Sequence, residues 1–125
     1  MKIISTPQAP AAVGPYSQAV QAGDFLYLSG QIPLVPETGL LVSENIADQA
    51  EQVLKNLKAV CDAGGGGLHR VVKCTVFLTD LANFQTVNEI YARYFGDHKP
   101  ARSTIQVSAL PRGSAIEIEA IMYLK

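Results

Sequence analysis

The spacing of hydrophobic positions changes period several times along the chain, and each change marks an element. Residues 2–6 form a short candidate strand, followed over residues 8–15 by a loop rich in Pro and Ala. Residues 17–22 and 25–31 flank Gly23-Asp24, a two-residue connection of the kind that closes a tight hairpin. Pro33, Pro36 and Gly39 then punctuate a longer loop. From Ile46 the period becomes helical: Ile46, Ala50, Val53, Leu54, Leu57, Val60 and Cys61 make one stripe, with Asp48, Gln52, Lys55 and Lys58 mostly opposite. Asn45 suits the N-cap, and the glycines at 64–67 stop the helix near Ala63. Residues 71–78 are rich in β-branched side chains and predict a strand. Asp80 is expected to cap a second helix whose apolar face is Phe84, Val87, Tyr91, Tyr94 and Phe95, ended by Gly96. Residues 101–108 and 115–124 are two further strands, separated by a turn at Pro111-Arg112-Gly113.

This order predicts an α+β layer, one six-stranded mixed sheet with two helices on one face, formed by a single domain over residues 1–125. Two helices cover only one side of such a sheet. In the last strand Ile116, Ile118, Ala120 and Met122 share one face, and Glu117, Glu119, Ile121 and Tyr123 the other. Earlier strands carry large apolar groups on both faces, Phe25 and Tyr27 against Leu26 and Leu28, and Phe77 against Val76 and Leu78. An uncovered face bearing aromatics is a patch that monomers seldom tolerate, so burial against further copies is expected.

Composition narrows the function. Ten basic and eleven acidic residues leave a net charge of −1, which provides no general attraction to phosphate backbones, so no nucleic-acid partner is expected. No apolar run reaches the roughly 20 residues that cross a bilayer, and residues 1–7 lack the apolar core of a signal peptide. No membrane partner is expected either. Cys61 and Cys74 fall on an apolar helix face and in a strand, where free thiols pack as small hydrophobes, so a cytoplasmic location is expected.

Four local features could carry chemistry. Pro15 in Gly14-Pro15-Tyr16-Ser17 restricts the backbone and sets Tyr16 at a loop-to-strand junction, unless the segment is an ordinary turn. Ser29-Gly30-Gln31 ends a strand, and its glycine marks either a bulge or a close approach to a ligand. Pro100-Ala101-Arg102-Ser103-Thr104 directs a guanidinium, which can grip a carboxylate with two parallel hydrogen bonds where lysine cannot. Ile116-Glu117-Ile118-Glu119 puts two carboxylates opposite the isoleucines, either as solvated charge or as a proton-handling group once desolvated. His69 and His98 are isolated, and no cluster has zinc spacing, so no metal is expected. The Gly64–Gly67 run follows a helix and precedes a strand, the reverse of a phosphate cradle, and there is no Gly-x-Ser-x-Gly elbow.

Together, Gly14-Pro15-Tyr16-Ser17, Ser29-Gly30-Gln31-Ile32-Pro33, the strand ending at Leu78, Val87-Asn88, Pro100-Ala101-Arg102-Ser103 and Ile116-Glu117-Ile118-Glu119-Ala120 resemble the RidA/YjgF family of imine deaminases. The resemblance spans nearly the whole chain, in order. It implies a chorismate-mutase-like (YjgF-like) fold and a homotrimeric barrel with sites in the clefts between subunits. The positions matching the family's site are Arg102 for a substrate carboxylate and Glu117 for water and proton handling. Tyr16, Ser29, the Gly30 backbone and Asn88 complete the pocket. Thr104 stands in the pocket where many members have cysteine, which puts in doubt any thiol-dependent response.

The implied reaction is hydrolysis of 2-iminopropanoate and 2-iminobutanoate to 2-keto acids and ammonia. The imine carbon is already electrophilic, so an anion clamp, an activated water and a proton donor suffice, and no cofactor is expected. Two other readings remain at this point. The same cleft could bind imino or keto acids without turnover, as a regulatory protein. A ribonuclease or translation inhibitor is the third, opposed by the balanced charge and the lack of a histidine pair or stacking platform.

Overall fold

The computed structural model describes residues 1–125. Its strands are β1 (Lys2–Ile4), β2 (Ala19–Ala22), β3 (Phe25–Gln31), β4 (Val71–Leu78), β5 (Ala101–Gln106) and β6 (Ile116–Tyr123), and its helices are α1 (Ile46–Ala63) and α2 (Phe84–Phe95). The six strands form one sheet in the order β1-β2-β3-β6-β4-β5. Only β4 and β5 run parallel, joined through α2, because parallel neighbours need a crossover. The C-terminal strand β6 inserts between β3 and β4, antiparallel to both.

Both helices lie on one face, as the pattern of apolar positions requires. The α1 stripe from Ala50 to Cys61 is fully buried against Leu26, Val76, Ile116, Ile118 and Met122 of the sheet. Asn45 caps α1 by accepting from the Asp48 N–H at 3.1 Å. Two polar side chains on α1 are also buried, and both hold irregular backbone. The Gln49 amide donates to the Ser43 carbonyl and accepts from the Ala115 N–H, each at 2.8 Å. The Asn56 amide donates to the carbonyls of Ile32 and Leu34. The loop between β3 and α1 leaves carbonyls without ladder partners, and these side chains supply them.

Several element ends differ from the sequence expectation, each for a hydrogen-bonding reason. β1 stops at Ile4 because the Thr6 N–H donates to the Gln18 side chain at 2.7 Å instead of to a strand. That same buried amide donates to the carbonyls of Thr6 and Pro10, pinning the loop over residues 6–16. β2 accordingly begins at Ala19 and not at residue 17. Asp80 caps a separate 3₁₀ turn, Leu81–Asn83, by accepting from the Ala82 N–H, so α2 starts only at Phe84. β5 closes at Gln106 and does not reach residue 108, its last side chain accepting from the Leu81 N–H. The hairpin turn is where it was expected: Gly23 takes a positive φ of 59° and Ala22 pairs with Phe25.

The opposite sheet face is open. Phe25, Tyr27 and Tyr123 are 38%, 49% and 39% exposed on it, with Phe77 and Ile121 half-buried beside them. Phe25 and Tyr123 stack at 5.2 Å across the β3/β6 pair, so the patch is contiguous. Both cysteines are free and fully buried, and desolvation pushes the Cys61 thiol up to about 12, which makes it inert. No helix is long and apolar enough to cross a membrane.

Candidate active site

Gly30 and Glu117 meet where β3 departs from regular pairing. The β3/β6 register shifts between Leu28 and Gln31, the bulge that a glycine near a strand end foreshadows. The Glu117 carboxylate lies directly over the Gly30 backbone, so that a Cβ at position 30 would overlap it. Close approach is therefore the reason for this glycine. The Ser29 hydroxyl donates to the Ser17 carbonyl at 2.6 Å, and the Ser29 N–H donates to the Gln18 carbonyl. These bonds bring the Gly14-to-Ser17 loop, with Tyr16 exposed on it, to the same end of β3.

Glu117 is half-buried on the open face. Desolvation, with Glu119 adding repulsion, raises its pKa above the ordinary carboxylate range. A carboxyl raised in the folded state contributes stability below its unfolded pKa and loses it as pH rises through the folded value. Glu117→Gln is therefore expected to raise the Tm at pH 7.5 and leave it unchanged near pH 3, where both side chains are neutral. Thermal unfolding at the two pH values checks this, and an equal shift at both would assign the effect to packing.

Arg102 occupies a different environment. It lies on the helix side of β5, half-buried, with its guanidinium carbon 4.7 Å from the Tyr91 ring centroid and 5.5 Å from that of Phe84. Arg102 and Asn88 line one cleft of about 390 Å³ between α2 and the start of β5, together with Tyr91, Phe95 and Pro100. Thr104 stands two residues along β5, half-buried and on the same face as Arg102. The Tyr91 hydroxyl is buried beside the Cys74 thiol without a well-formed hydrogen bond, and burial raises its pKa.

The predicted residues thus form two groups, and one chain does not unite them. Arg102 pairs with Cys74 in the β4/β5 register, and Glu117 pairs with Phe77 in the β4/β6 register. Cys74 points to the helices and Phe77 to the open face, so the guanidinium and the carboxylate occupy opposite sides of the sheet with β4 between them. The two groups are not on adjoining strands. Sequence reasoning also missed the contact of Phe84 and Tyr91 with Arg102. Their spacing of seven residues put both on one helix face, where they read as core.

Comparison with known proteins bears on these two groups. The family model described as endoribonuclease L-PSP matches residues 6–124. Reactive intermediate deaminase A, chloroplastic, of Arabidopsis thaliana is 55% identical over 123 residues, 98% of this chain and 66% of that protein. The Mus musculus 2-iminobutanoate/2-iminopropanoate deaminase is 54% identical over 120 residues, 96% of this chain and 89% of that protein. The crystal structure of E. coli TdcF with bound serine superimposes with a TM-score of 0.95 at 44% identity and covers 100% of both chains. Likeness of this extent in both sequence and fold places the chain in the RidA/YjgF family.

Proposed function

We propose that the chain hydrolyses 2-imino acids with side chains of one or two carbons, 2-iminopropanoate and 2-iminobutanoate, in clefts between the copies of a homotrimer. The observation that carries this reading is the division of labour between the two groups. One is a guanidinium with its fork free at a cleft, suited to a carboxylate. The other is a partly desolvated carboxyl beside an approachable backbone, its pKa raised in the direction that suits proton transfer. The names of the plant and mouse relatives, and the serine held by TdcF, support a small substrate with an amino-acid-like carboxylate.

The opposed placement of the groups supports assembly. A site in which one copy's Arg102 meets another copy's Glu117 fits a head-to-tail contact between different faces of two copies, which closes into a ring where its rotation allows. The exposed aromatics of the open face are what the ring would bury. The number three comes from the family.

In the assembled cleft Arg102 holds the substrate carboxylate, with Asn88 and Thr104 beside it. Glu117 accepts a proton from water as the water oxygen attacks the imine carbon and the C=N π pair moves to nitrogen. Glu117 then returns the proton to that nitrogen. Glu117 next carries the hydroxyl's proton to the nitrogen as the C–N bond breaks with its electrons on nitrogen, so that ammonia leaves and the oxygen becomes the keto oxygen. Ser29, the Gly30 N–H and Tyr16 hold the water or substrate. The family description's ribonuclease chemistry has less to work with: the His98 ring is tied to the Val71 carbonyl at 2.6 Å, and His69 lies in the turn before β4.

Adding the protein to imine freshly generated from serine or threonine is expected to accelerate ammonia release well above the unaided rate. Release at the unaided rate, with keto acid still bound, would establish a binding protein instead.

A further inference from the structure

The Arg102 guanidinium makes no ion pair within the chain, and the Tyr91 hydroxyl lies beside it. Yet it is not loose, because two rings two helical turns apart on α2 approach it, Tyr91 at 4.7 Å and Phe84 at 5.5 Å. An acidic neighbour would also hold the group, but it would consume the N–H fork that a substrate carboxylate needs. Aromatic faces attract the cation through its plane and leave the edge donors free. Tyr91 itself is buried, with its hydroxyl near both the Cys74 thiol and the Arg102 guanidinium, so its ring is a rigid surface.

We infer that Phe84 and Tyr91 form an aromatic seat that sets the plane of the Arg102 guanidinium, which makes both of them positioning residues for the carboxylate clamp. This rests on the reading of Arg102 given above. The seat stabilises one orientation of a long, flexible side chain before substrate arrives. Affinity is then gained through ordering already done, in the ground state and the transition state alike. Its loss should therefore raise KM and spare kcat.

The test uses the assembled protein, with pyruvate as the binding probe and imine turnover as the kinetic one. Phe84 is 40% exposed, so Phe84→Leu removes the ring with little disturbance of the core. It is expected to raise KM and the pyruvate Kd about two- to fivefold. Tyr91→Leu should do the same, and the ring-retaining Phe84→Tyr and Tyr91→Phe should restore the affinity. In an Arg102→Ala background, Phe84→Leu should add nothing. A Phe84→Leu variant that binds pyruvate as tightly as wild type, while Arg102→Ala binds it weakly, would overturn the seat and leave the clamp standing. An undiminished penalty for Phe84→Leu in the Arg102→Ala background, or a fall in kcat at unchanged KM, would also overturn it. Unchanged pyruvate affinity in Arg102→Ala itself would remove both the clamp and the seat.

Discussion

Glu117→Gln is expected to lower kcat for imine hydrolysis by about two to four orders of magnitude, the usual worth of a positioned acid/base group. Glutamine keeps the shape of the side chain over the Gly30 backbone, so the pocket should stay formed. What it loses is the capacity to take a proton from water and return it to nitrogen. Desolvation raises the Glu117 pKa, the direction that favours a carboxyl as a proton carrier. Pyruvate binding should change little, since the Arg102 fork is untouched. Steady-state kinetics paired with calorimetric titration separates the two effects. An equal loss of turnover and affinity would make Glu117 a binding group.

The second large effect comes from mixing. Arg102→Ala should lose most of its activity while its assembly stays intact, because truncating one partner of a desolvated charge pair costs about 2–5 kcal/mol. Neither this variant nor Glu117→Gln turns over well alone. Unfolded together in equal amounts and refolded, they should regain about a quarter of the wild-type rate, since about three quarters of random three-membered rings are mixed and each mixed ring holds one intact site in three. The register that puts Arg102 opposite Cys74 and Glu117 opposite Phe77 is the reason. Activity no greater than the sum of the separate variants would mean that each site draws both groups from one chain.

Much of the fold was legible because its signals are local. The α1 stripe, the Asn45 cap and the Gly23-Asp24 turn each lie within a few residues and match the structure. The alternation in β6 assigned both faces of that strand correctly, so the open face was visible before any coordinates. The strand order was not legible, since pairing β6 with β3 joins residues about ninety positions apart, and no periodicity encodes that. The site shows the same divide. Gly30 beside Ser29 signalled a bulge, and the bulge is present, but the group that demands a glycine there, the Glu117 carboxylate, comes from the far end of the chain. Phe84 and Tyr91 were hidden by their chemistry, for an aromatic at helical spacing reads as core whether it packs on leucine or on a guanidinium. The buried amides of Gln18, Gln49 and Asn56 were equally silent, because their partners are carbonyls of irregular loops.

The placement of Arg102 and Glu117 on opposite sides of the sheet has a further effect on how the protein tolerates damage. In the proposed ring, each copy would lend its guanidinium to one neighbour and its carboxylate to the other. A single oxidised or misfolded copy would then silence two crevices. A newly made chain would be chemically mute until it found company, so catalytic output would follow the population of complete rings more closely than the quantity of polypeptide.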